Sequence, residues 1–185
     1  MKLSARNNQF RFQFPRMFIP KEIVDKYKPF IQKMPGNMIN EPIDFFNYGI
    51  QSINIPGPSF DPVSQNDNPG LTRSYRGSVP EQELYDKSLT VTFQAFDGWV
   101  NYWMAIDLFQ YYYSRKTKPQ YVPEGIGVEL LDLEGFSWVN VKFKEMILTS
   151  VSELDLNFST NTVEFQTFTL NFVYNFLDIN LNLRQ

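Results

Sequence analysis

Glu153, Asp155 and Glu164 flank one polar turn, Ser159-Thr160-Asn161-Thr162, and come nearest in type and spacing to a catalytic pair. Two carboxylates facing each other can divide the roles of general acid and of base or nucleophile, as in glycoside hydrolysis. That chemistry needs a cleft and one carboxyl held protonated near neutral pH, and an alternating strand–turn–strand supplies neither by itself. The plain reading of these residues is a solvated strand face. The chain has no His and no Cys. This removes Ser-His and Cys-His nucleophile pairs, the usual zinc sites and any disulfide. We therefore expect no catalytic residue, no metal ligand and no cofactor, and an enzyme is the weakest reading.

The second group with chemical character is aromatic. Trp99, Trp103, Tyr111, Tyr112 and Tyr113 share one stretch. They could form a sugar-stacking platform, but at helical spacing such residues are more often core or anchors of an interface. Aromatics make up 17% of the chain, more than a core of 185 residues readily absorbs, which points to surface covered by another chain. Net charge is −3, so a basic nucleic-acid-binding face is not expected. The mixed charges Arg73, Arg76, Glu81, Glu83, Asp86 and Lys87 read as a solvated loop or as register-setting pairs at a contact.

The elements that must position these residues follow from hydrophobic periodicity. Phe10, Phe12 and Phe14 alternate with polar residues and predict a strand ended by Pro15. A short helix is expected from Pro20 to about Met34, with Ile23, Val24 and Tyr27 on one face and Pro29 shortening or kinking it. Residues 49–55 alternate again; residues 56–72, rich in Pro, Asn, Asp and Ser, predict a long loop, and 73–79 a weak strand. Leu89, Val91, Phe93 and Ala95 predict a strong strand, and Asp97 is the expected N-cap of a helix from Gly98 to about Tyr113. Its polar residues Asn101, Asp107 and Gln110 share no face, so the helix should be covered on more than one side, with Asp107 turned to water.

Strands are then expected at 128–130, at 139–143 after a Glu134-Gly135 turn, and at 153–158. The final segment, 163–176, reads as one long aromatic strand. Its apolar phase slips near Gln166-Thr167, which predicts a bulge or a strand passing between sheets. A strand this long and aromatic should pair with another chain if it lies at an edge.

In this order the chain resembles the tail tube proteins of contractile-tailed bacteriophages. The likeness is carried by residues 86–103 (DKSLTVTFQAFDGWVNYW), 139–159 (VNVKFKEMILTSVSELDLNFS) and 162–174 (TVEFQTFTLNFVY). Glu153-Leu154-Asp155-Leu156-Asn157-Phe158 and Phe165-Gln166-Thr167-Phe168-Thr169-Leu170 match the family's paired C-terminal strands. Related folds occur in tube-initiating baseplate proteins and in the haemolysin-coregulated protein of type VI secretion. The resemblance implies a mainly β fold: one tail-tube-like domain over 1–185, an antiparallel β-sandwich or barrel with one major α-helix and long insertions at about 15–48 and 56–84. It implies hexameric rings of this chain stacked into a tube, with tail sheath, tape-measure and baseplate proteins as further partners and DNA passing without specific binding.

On that reading Glu153, Asp155 and Glu164 are candidates to line the lumen, where acidic groups would repel DNA. Trp99, Trp103, Tyr112 and Tyr113 are candidate contacts between subunits, and Phe60, Leu71 and Tyr75 candidate anchors of an axial contact made by the long loop. The first residues turn polar at once, without the apolar core of a signal peptide, and no apolar run reaches the ~18 residues of a span. The expected place is a phage tail assembled in the host cytoplasm, with no membrane contact. Two alternatives stay open: a baseplate or tail-completion protein of the same fold, and a monomeric β-barrel that binds a small apolar ligand.

Overall fold

The computed structural model describes residues 9–33, 39–57, 63–68, 71–75, 87–114, 120–154 and 165–182. In chain order these form β1 (Phe10–Gln13), a 3-10 turn (Arg16–Phe18), α1 (Lys21–Ile31), α2 (Pro42–Gly49), β2 (Ile50–Asn54), β3 (Val63–Asn68), β4 (Leu71–Tyr75) and β5 (Ser88–Gln94). A second 3-10 turn (Asp97–Trp99) leads into α3 (Val100–Ser114), followed by β6 (Ile126–Leu131), β7 (Ser137–Lys144), β8 (Ile147–Val151), β9 (Thr167–Val173) and β10 (Phe176–Leu181).

Two four-stranded antiparallel sheets dominate. The first has the order β1-β6-β7-β10 and the second β2-β5-β9-β8, while β3 and β4 pair as a separate two-stranded sheet. The fold is mainly β with one principal helix, as expected. The period-two residues face inward: Phe12 and Phe14, Leu89, Val91 and Phe93, Val141 and Phe143, and Phe168, Leu170 and Phe172 are all buried. In the core the rings interlock. Phe14 stacks on Phe18 at 4.4 Å, Phe93 on Phe168 at 5.3 Å, and Phe46 meets Phe93 edge-on at 5.6 Å.

Several expectations need correction. The final segment is two strands, not one. β9 lies inside the second sheet, and the chain crosses to the first sheet at Tyr174–Asn175, beyond the phase slip. There Tyr174 N–H donates to the Lys87 carbonyl and Asn175 N–H to that of Lys144, one partner in each sheet. The part of the C-terminal segment that lies at a sheet edge is thus β10, six residues long. Residues 56–72 are not a plain loop, because Val63–Asn68 and Leu71–Tyr75 pair as a hairpin. The segment expected as a strand at 153–158 lies mostly outside the described residues.

Helix α2 is an addition. Asp44 Oδ2 accepts from the backbone N–H groups of Asn40 and Glu41, both at 2.9 Å, and Pro42 occupies the first turn. This is a capping box with Pro where its missing N–H costs nothing. The helix buries Phe45 and Phe46 completely. In α1 the buried residues are Ile23, Tyr27 and Ile31, and the helix ends two residues after Pro29.

Asp97 is not the cap of α3. Gly98 and Trp99 take left-handed φ values of +68° and +51°, so the chain reverses before the helix begins. The buried Asn101 ties that reversal instead. Its Oδ1 accepts from Phe96 N–H at 3.0 Å and its Nδ2 donates to the Gln94 carbonyl at 2.7 Å. Asp107 is likewise not free in water: Lys26 Nζ and Tyr27 Oη both donate to it, at 2.5 and 2.6 Å, and join α1 to α3.

Burial, and then the Asp107 hydrogen bond and charge, hold the Tyr27 phenol well above its ordinary 10.0. Burial, then Tyr111, raises Tyr112 in the same direction. A raised folded-state value stabilises the fold below the ordinary phenol pKa, and that stabilisation is lost as pH rises past it. Stability should therefore hold through neutral pH and fall above about pH 10, the ordinary phenol value. The double variant Tyr27→Phe, Tyr112→Phe should show a flatter alkaline limb in denaturation midpoints measured across pH. An unchanged limb would mean that other groups control it.

Candidate assembly surfaces

Three surfaces stand out once the fold is in place. The first is an apolar strip on the core side of the first sheet. Register places Phe12, Val128, Val141 and Ile179 in one row across β1, β6, β7 and β10. The first three are buried, yet Ile179 is 54% exposed. In the adjoining row of Phe10, Leu130, Val139 and Leu181, Leu181 is 72% exposed. The inward-facing row thus runs out from under its cover as it reaches β10. These side chains have the pattern of a core and the exposure of a surface.

The second surface is on α3. Tyr102, Met104, Ala105 and Leu108 are buried, and Tyr102 Oη donates to the Ser152 carbonyl just after β8. On the far side Trp103 and Tyr113 are exposed, and Tyr113 stacks on Phe109 at 5.8 Å. Asp107, the one charge on this helix, is held by Lys26, so the outer aromatic face has no free charge of its own. Apolar rings left in water in this way are the usual mark of a contact surface.

The third is the outward face of the first sheet, which is charged. Arg11 pairs with Glu129 at 3.3 Å, and Lys144 pairs with Asp178. A shallow concavity of about 450 Å³ lies here, lined among others by Arg11, Gln13, Arg16, Glu129, Asn140 and Lys142. Charged and polar walls of this kind do not suit a small apolar ligand.

The residues singled out by sequence distribute unevenly over these surfaces. Trp103 and Tyr113 stand exposed on α3, whereas Trp99 packs partly against the core and Tyr112 donates its hydroxyl to the Phe18 carbonyl at 3.0 Å. Glu153 is exposed just beyond β8; Asp155 and Glu164 lie outside the described residues. Leu71 and Tyr75 begin and end β4, and Phe60 lies outside the described residues. Among the described residues no group of His, Cys, Asp and Glu could hold a metal ion, and no helix is long and apolar enough to cross a membrane. Sequence reading missed the β10 strip. Ile179 and Leu181 do alternate with polar neighbours, but only register shows that they extend a core row.

No family model and no curated protein matches the sequence. Solved structures do. The tube-terminating cap of the anti-feeding prophage matches with a TM-score of 0.57 at 11% identity, over 98% of this chain and 94% of that one. A chain of the PVC sheath–tube complex, an extracellular contractile injection system in its extended state, matches at 0.50 and 10% identity, over 97% and 93%. A chain of the six-fold symmetrised anti-feeding prophage baseplate matches at 0.50 and 11%, over 97% of each. The chain therefore shares its fold with components of contractile injection particles, and the tail-tube-like architecture implied by the sequence resemblance is the one it has. Its structural neighbours are parts of tube, cap and baseplate assemblies.

Proposed function

We propose that this chain is a structural subunit of a tail tube: a hexameric ring that stacks with its copies into a conduit for DNA, within a virion tail. The observation that carries the reading is the uncovered core row at β10, where Ile179 and Leu181 continue a buried row into solvent. A four-stranded antiparallel sheet ends in strands of opposite direction, β1 and β10. A second copy can therefore add at β10 by its β1 with the alternation kept. Such a contact is head-to-tail, and head-to-tail contacts close into rings or run on as filaments. The exposed rings of α3 offer a further contact, to a neighbouring copy or to a surrounding sheath. Nothing in this role requires catalysis, a metal or a cofactor.

Purified protein should form rings or hollow tubes by negative-stain microscopy and light scattering. Ile179→Asp with Leu181→Asp should abolish them while leaving the circular dichroism spectrum unchanged, since both side chains are already exposed. A well-folded wild-type monomer at high concentration would overturn the proposal. The higher TM-score with a terminating cap, 0.57 against 0.50, favours as second reading a ring that ends a tube. Single rings that never stack would support that reading.

A further inference from the structure

The second sheet differs from the first in one chemical respect. Its strands β2, β5, β8 and β9 contain no charged residue, whereas the strands of the first carry Arg11, Glu129, Lys142, Lys144 and Asp178. The outward side of the second sheet presents mainly short hydroxyl and amide groups, with Val173 and Ile147 beside Ser88 at one end. Register aligns Asn54, Thr90, Asn171 and Ser150 in one row and Ser52, Thr92 and Thr169 in the next. These groups bond to one another. Thr90 Oγ1 donates to Asn171 Oδ1 at 2.8 Å, Asn171 Nδ2 to Ser150 Oγ at 2.9 Å, and Gln51 Nε2 to Gln94 Oε1 at 2.9 Å. Much of the polar capacity of the face is therefore spent within it.

We infer that this face is the wall of the conduit, and that the wall is indifferent to the charge of what passes. The inference rests on the ring proposed above. A ring of two-sheet subunits turns one outer face inward and the other outward. Solvent-facing sheets ordinarily carry charge for solubility, as the first sheet does. A subunit contact wants an apolar centre, and the exposed apolar side chains of β10 and α3 lie elsewhere. A face without charge, whose apolar side chains are confined to Val173 and Ile147 at one end, suits a surface along which cargo slides. Without fixed charge it produces no field to hold or repel a polyanion. Glu153, exposed just past β8, then stands beside the wall and not along it.

The chain has no Cys, so single cysteines report position directly. Assembled particles of Thr92→Cys, Thr169→Cys and Ser52→Cys are treated with a small maleimide dye and with a maleimide on a polymer too bulky to enter a ring; Lys142→Cys is the outer-face control. The wall positions should take the dye and lose reaction with the polymer, while Lys142→Cys takes both. Polymer labelling at the wall positions would place the face outside, and no labelling by either reagent would place it in a subunit contact; each overturns the inference. In the same particles wild type should retain no short DNA oligonucleotide even at low salt, and Thr92→Lys with Thr169→Lys should gain salt-sensitive retention. Wild-type retention, or no gain in the lysine particles, also overturns it. Absence of rings in wild type defeats the ring proposal itself, a result distinct from all of these.

Discussion

Phe93→Ala should lower the unfolding free energy by about 3–5 kcal/mol, the range for removing a wholly buried aromatic ring. Phe93 has no exposed surface. Its ring stacks on Phe168, meets Phe46 edge-on and lies 6.0 Å from Phe14, so β9, α2 and the segment just after β1 converge on it. The neighbours are rigid rings on three separate segments, and the site has little means to collapse into the space left behind. The loss is then transfer energy plus a lasting cavity. A domain of ordinary stability holds only about 5–15 kcal/mol in total, so the loss is a large share of it. Guanidinium denaturation of dissociated protein measures the loss. Trp103→Ala is the control: the ring is 53% exposed, and its removal should shift the midpoint only slightly. Near-equal losses for the two would mean that the aromatic core is not where the stability resides.

Gly125→Ala should be the most damaging Gly→Ala change among the described glycines. Gly125 has φ +70°, a left-handed conformation that costs an L-residue roughly 1–2 kcal/mol. The added Cβ would also sit 2.0 Å from the Phe143 carbonyl oxygen. That oxygen is backbone, in the strand paired with β6, so no rotamer change relieves the overlap, and the first sheet must shift at Ile126↔Phe143. Gly135→Ala separates the two causes. Gly135 has φ +82°, but nothing lies within 4 Å of its added Cβ. It should lose only the conformational part. Thermal melts of both variants test this, and a Gly125→Ala midpoint equal to that of Gly135→Ala would show that the close approach is relieved without cost.

The strands were legible because a sheet with one buried face writes a period of two into its sequence, and Leu89-Val91-Phe93 and Val139-Val141-Phe143 do so plainly. Helix α3 was legible from its length and its apolar run, although its start was not. Asp97 has the chemistry of a cap, but the left-handed turn at Gly98–Trp99 separates it from the helix, and Asn101 ties that reversal from inside α3. Helix α2 was readable in principle from Glu41-Pro42 and Asp44, a local signal that the surrounding Pro- and Asn-rich sequence obscures.

The candidate contact residues divide on the same line. That α3 carries more aromatic surface than one face can bury follows from composition alone. Which rings are left over is a matter of packing: Tyr112 turns in to the Phe18 carbonyl and Tyr113 turns out. The mainly β class, the principal strands and helix α3, and the absence of thiol and imidazole chemistry follow from residue type and from neighbours a few positions away. Three features emerge from strand order alone: the last aromatic segment divides between two sheets at Tyr174–Asn175, β10 carries a core row past its cover, and every charge on the sandwich strands falls in one sheet. Strand order joins residues far apart in the chain, and one strand's pattern carries no record of which strand lies beside it.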